Sequence, residues 1–144
     1  MIKRTLTLPE LAFLAYMYPD NFRRVFAVFE VQSSIGLEET ADGRFRFNAR
    51  QCLIMLLVAD CVRYGMKAPL AGRMAGRIAE SLVFDPEAAK VHIEFRQNGA
   101  SFTFTSDDAP DAAEAAGPAR FRLTFDLNAY RAAVDAAMGG SDAA

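Results

Sequence analysis

The stretch "ADGRFRFNARQCL", residues 41–53, decides how the rest of the chain is read. Asp42-Gly43 is a turn signal. Arg44, Phe45, Arg46 and Phe47 then alternate basic with aromatic, the period of a strand with two unlike faces. Asn48 ends the alternation and suits a helix N-cap. Beyond it, residues 49–64 are apolar around most of the helical circumference, the pattern of a helix at the centre of a bundle. The stretch therefore predicts a small hairpin ribbon leading into a buried helix. Phe45 and Phe47 anchor one face of the ribbon to the third helix, while Arg44 and Arg46 offer the other to solvent, to a phosphate backbone or to the minor groove.

Two helices are expected ahead of the ribbon. Thr7 is a cap, with Pro9 in the first turn and Glu10 completing a capping box. That helix carries Leu11, Leu14 and Ala15, and Pro19 closes it by about Tyr18. Asp20 or Asn21 caps a second helix, with Phe22, Val25, Phe26 and Phe29 on one stripe and Arg23 and Arg24 beside it. Gly36 ends the pattern. After the buried third helix, Gly65 is placed as a C′ glycine. Lys67 or Ala68 opens a fourth helix, with Pro69 in its first turn and Leu70, Met74, Ile78 and Leu82 as its stripe, ending near Ser81–Phe84. The glycines of "APLAGRMAGRIAE", residues 68–80, have the spacing of close helix packing rather than of a phosphate loop.

The style then changes to strands. Val91, Ile93 and Phe95 alternate with His92, Glu94 and Arg96, which reads as a half-buried strand. Asn98-Gly99 is a hairpin turn signal, and Phe102 and Phe104 alternate with Ser101, Thr103 and Thr105 on the return. An acidic stretch, "SDDAPDAAEAAGPA", separates this hairpin from a third strand, "RFRLTFD". Asp126 caps a last helix with Leu127, Tyr130 and Val134 as its stripe, and a small polar tail follows. The expected architecture is α+β: a four-helix winged helix-turn-helix at the N-terminus, then a small three-stranded antiparallel sheet and a C-terminal helix. The domains read as 1–84, 88–138 and a tail, 139–144.

Charge divides the chain the same way. Residues 1–79 hold 11 Lys/Arg against 7 Asp/Glu, so 11 − 7 = +4, and residues 80–144 hold 5 against 11, so 5 − 11 = −6. The first part is the one that suits an anionic partner. No run of uncharged apolar residues reaches the ~18 needed to span a bilayer, and no leader-like segment follows "MIKRTLTLPEL", so a cytoplasmic protein without membrane contact is expected. Cys52 and Cys61, nine residues apart on one helix, fall on opposite faces and cannot pair. With His92 the single histidine, no metal cluster can be assembled, and neither a nucleophile turn nor a carboxylate pair points to catalysis. No enzyme, cofactor or metal is expected.

The order helix, turn, helix, wing, long helix, glycine, helix resembles the MerR-type winged-helix regulators. The likeness is carried by "LTLPELAFLA", by "IGLEETADGRFRFNARQCLIML" and by "LLVADCVRYGMKAPLAGRMAGRI", and covers about residues 5–80. It departs from the family in its second helix, "PDNFRRVFAVFE", which lacks the usual threonine-isoleucine-arginine-tyrosine run. It departs again after residue 84, where strands stand in place of a long dimerising helix.

The resemblance implies a DNA-binding transcriptional regulator, bacterial or phage-derived and homodimeric. The family's base-reading residues do not carry over to the second helix, but helix-turn-helix geometry would present Arg23 and Arg24 to the major groove unless they only solubilise that face. Asn21 would cap the helix or touch a phosphate. The wing would hold the backbone with Arg44 and Arg46, and Lys3 and Arg4 would form an arm on the duplex. Arg73 and Arg77 would brace the wing or reach flanking phosphates. The alternative is a protein-interaction adaptor that contacts polymerase or another regulator through the acidic, phenylalanine-rich C-terminal half.

Overall fold

Thr7 starts the first helix with both bonds of a capping box: its Oγ1 accepts from the Glu10 amide at 3.3 Å, and the Glu10 carboxylate accepts from the Thr7 amide at 3.0 Å. A computed structural model describes residues 5–36, 45–96, 99–105 and 121–139. Among them lie β1 (Leu6–Thr7), α1 (Leu8–Leu14), α2 (Pro19–Phe26), α3 (Phe29–Ile35), β2 (Arg46–Phe47), α4 (Ala49–Arg63), α5 (Ala68–Phe84), β3 (Lys90–Arg96), β4 (Gly99–Thr105), β5 (Phe121–Asp126) and α6 (Leu127–Ala137). The fold is mixed helix and sheet, α+β, and divides into two compact units: Met1–Glu80 with Tyr130–Ala144, and Ser81–Ala129.

The first unit departs from the four-helix expectation in its second helix. That helix is two, α2 and α3, separated at Ala27 and Val28, where Val28 is extended at φ −68° and ψ 130°. The reason is phase. At about 100° per residue an unbroken helix would put Val31 about 180° and Ile35 about 220° from Phe22. The break resets the phase, so that Phe22, Val25 and Phe26 are buried and Val31 and Ile35 are buried too. Phe29, expected on the buried stripe, is 77% exposed instead. Pro19 also differs from its expected role. It opens α2 as the first helical residue, where its missing N–H costs nothing, and α1 has already ended at Leu14.

α4 is capped as expected, with Asn48 Oδ1 accepting from the Gln51 amide at 2.9 Å and Gln51 accepting from the Asn48 amide at 2.8 Å. Nine of its residues are buried, from Cys52 through Ala59 and again at Cys61, so it is enclosed on nearly every side. Both cysteines are free, and burial pushes each thiol up to about 12. Gly65 ends α4 in the left-handed region at φ 104°. On α5, a Cβ at Gly72 would come within 2.6 Å of the Glu30 and Val31 backbone, and one at Gly76 within 3.3 Å of Ser34 Cβ. Those glycines let α5 approach the α3 backbone at Gly72 and the Ser34 side chain at Gly76, which is the packing role their spacing predicts.

The ribbon has an unexpected partner. β2 pairs antiparallel with β1, Leu6 opposite Phe47 and Thr7 opposite Arg46, so the chain start holds it in place. Residues 37–44, the expected hairpin tip, lie outside the described residues.

In the second unit β3 is the central strand of an antiparallel sheet ordered β4-β3-β5. Arg96 pairs with Gly99, so Gly99 belongs to the strand rather than to the turn. Val91 and Ile93 are fully buried, but so are His92 and Glu94, at 3% and 2% exposure. The half-buried expectation fails at this strand. The cross-strand neighbours of His92 and Glu94 on β5 supply polar partners. His92 Nδ1 lies 2.9 Å from Thr124 Oγ1, and Arg122 donates to Glu94 at 2.6 Å. Asp126 caps α6 by accepting from the Ala129 amide at 3.1 Å, as its place in the sequence predicts.

Candidate nucleic-acid interface

The arginines read from the sequence sit on two elements fastened by aromatic rings. Phe26, at the end of α2, meets Phe45 edge-on at 5.0 Å between ring centroids and Phe47 at 5.4 Å. Such edge-to-face pairs contribute about 0.5–1.5 kcal/mol each beyond their buried area. Phe47 is itself fully buried. By alternation Arg46 points away from these rings, and it is exposed. The sequence assigns Phe45 and Phe47 to anchoring the ribbon on the helix that follows it, whereas their ring partner is Phe26 of α2.

On α2, Phe22, Val25 and Phe26 define the buried direction. Helical geometry puts Arg24 about 150° from that direction, on the outer pole, with Arg23 and Asn21 flanking the stripe on opposite sides. All three are exposed. Arg23 pairs with Asp20 at 3.2 Å, with side-chain exposures of 59% and 85%. An ion pair so exposed contributes only ~0–1 kcal/mol, so Arg23 can exchange Asp20 for a phosphate at small cost. Lys3, Arg4 and Arg44 lie outside the described residues.

The basic residues of α5 are engaged elsewhere. Arg73 approaches Glu30 of α3 at 3.9 Å, and Arg77 is exposed with a partner of its own. Arg50, near the start of α4, donates to the Ala79 carbonyl at 2.6 Å and so ties α4 to α5.

A polar network in the same unit has no counterpart in the sequence reading. Tyr130 Oη donates to Asp60 Oδ2 at 2.6 Å, Arg63 pairs with Asp60 Oδ1 at 3.3 Å, and the other arm of Arg63 donates to the Ala15 carbonyl. Burial and the Asp60 carboxylate both push the Tyr130 phenol well above its usual range, so it stays protonated as a donor. The available signal was Asp60 itself, a carboxylate inside the most apolar helix, which has to find partners.

No model of a known protein family matches the chain, and no curated protein matches it in sequence. Among the described residues no helix is long and apolar enough to cross a membrane.

Proposed function

We propose that the first unit binds duplex DNA as a MerR-like winged helix-turn-helix, and that the chain is a homodimeric transcriptional regulator. The observation that carries this reading is the Phe26–Phe45–Phe47 cluster, because it fixes the strand bearing Arg46 against the helix bearing Arg23 and Arg24. In this reading α2 enters the major groove, where arginine's planar fork suits guanine edges and phosphates alike. Arg46 and Arg44 hold the adjacent backbone, with Asn21, Lys3 and Arg4 as further contacts. Most of the affinity is electrostatic and falls with salt. The excess of basic residues before residue 80 supports the same assignment, and the acidic remainder stays off the duplex.

A shift assay against a broad duplex library at low salt tests this. The wild type binds, and Arg24→Ala with Arg46→Ala binds more weakly across all sequences. Absence of wild-type binding to any duplex would falsify the reading.

A second reading, an adaptor that contacts polymerase or another regulator, is favoured by one observation. Val83 and Phe84, consecutive at the end of α5, are 62% and 90% exposed. Consecutive exposed apolar side chains mark contact surfaces. Co-purification of one protein partner that is insensitive to the arginine substitutions supports this reading over the first.

A further inference from the structure

α1 ends in a turn that its sequence does not favour. Met17 N–H donates to the Ala12 carbonyl at 3.0 Å and Tyr16 N–H to that of Phe13 at 3.1 Å, a two-bond C-cap that requires a left-handed residue at position 16. α4 closes in the same way, Met66 N–H to Cys61 at 2.9 Å and Gly65 N–H to Val62 at 3.1 Å, but with glycine in the left-handed place. In α1 that place is held by Tyr16 at φ 57°, the one non-glycine residue with positive φ among the described residues. A side chain there is strained. The Tyr16 ring is 88% exposed, so its own packing does not hold the conformation.

The restraint comes from outside the turn. The Ala15 carbonyl belongs to the peptide that leads into Tyr16, and Arg63 donates to it. The guanidinium is steadied by Asp60 Oδ1, and Asp60 Oδ2 is held by the Tyr130 hydroxyl at 2.6 Å. Side-chain exposures of 31% for Arg63 and 34% for Asp60 leave the network partly shielded, where such bonds are stronger than at an open surface. α2 begins at Pro19, three residues after the strained position, so the orientation of that peptide sets the direction of α2.

We propose that Tyr130 is a positioning residue for α2: through Asp60 and Arg63 it holds the Ala15–Tyr16 peptide in its strained form, which places α6 in control of the candidate recognition helix. The structural part stands on geometry alone, and its consequence for DNA rests on the duplex-binding reading above.

Amide hydrogen exchange at Tyr16, Met17 and Tyr18 tests the clamp without any ligand. Tyr130→Phe removes only the hydroxyl and speeds exchange at Met17 by about tenfold, the scale of one lost charge-assisted bond. In an Arg63→Gln background the same change has no further effect, because the two residues act in series. Tyr16→Gly abolishes the sensitivity to Tyr130→Phe, since glycine adopts the left-handed form unaided. Unchanged Met17 exchange in Tyr130→Phe overturns the clamp, as do effects of Tyr130→Phe and Arg63→Gln that multiply. Duplex affinity measured on the same variants falls in step with the exchange rate. Affinity that stays constant while exchange rises overturns the control of α2. A wild type that binds no duplex defeats the DNA reading, while the exchange experiment still decides the clamp.

Discussion

Two sets of arginines, one in each unit, are used in opposite ways. In the first, Arg23, Arg24 and Arg46 stand in solvent over a core made of Phe22, Val25, Phe26, Phe47 and the buried face of α4. In the second, Arg122 turns inward to Glu94, a carboxylate only 2% exposed on the central strand. An arginine already committed to a buried carboxylate is part of the fold. One left outside an apolar core can be spent on a partner. The difference locates the binding proposal at α2 and β2, while Arg122, like Arg50 and Arg63 of the first unit, belongs to the polar framework of its own unit.

Removing an apolar anchor from the first unit is the most damaging way to break this contrast. Phe26→Ala deletes the ring that joins α2 to β2 and is expected to cost about 3–4 kcal/mol in chemical denaturation. The sharper comparison is Arg122→Ala in the second unit. Glu94 keeps other partners, and Arg122 is part-exposed at 40%, so the loss is about 2–3 kcal/mol, somewhat below the range for a fully enclosed pair. A loss under about 0.5 kcal/mol, the usual surface value, would remove Arg122 from the fold's polar framework.

Acid probes the same strand more gently. Burial, with Arg122 and Lys90 nearby, lowers the His92 pKa below its ordinary 6.5, while Glu94 acts in the other direction. Among the described residues its Nε2 is buried with no hydrogen-bond partner, so the imidazolium, which carries N–H on both ring nitrogens, finds no acceptor there. The unfolded chain takes up that proton near pH 6.5 and the folded chain resists it. Stability is therefore complete above that pH and declines as pH falls through and below it. Thermal melts between pH 7.5 and 5 should show the decline, and His92→Gln should flatten it. An identical decline in His92→Gln would assign the effect to other groups.

The features that could be read in advance were those written in adjacent residues. Thr7 with Glu10, Asn48, Gly65 and Asp126 each mark a helix end within one turn, and each forms the bond its type allows. The division of α2 from α3 was less accessible. Its signal is the phase of Val31 and Ile35 against Phe22, which a search for a single stripe ignores. The pairing of β1 with β2 could not be read locally, because two-residue strands have no period and their partners stand about forty positions apart. His92 and Glu94 misled because alternation predicts a wet face, and only the tertiary environment of a central strand removes it. In the candidate interface, the inward direction of Phe45 and Phe47 followed from alternation but their ring partner on α2 did not, and Phe26, Asp60, Arg63 and Tyr130 meet their partners only after folding.

In the duplex-binding proposal, the exposed arginines on α2 and β2 contact phosphates without supporting the fold. That proposal is tested most directly by duplex affinity as a function of salt for the wild type and for Arg24→Ala with Arg46→Ala, with denaturation run alongside. In the double variant the slope of log affinity against log salt is expected to become shallower by about 2, one for each lost phosphate contact, while stability changes by less than about 0.5 kcal/mol. An unchanged slope in a folded double variant would contradict it.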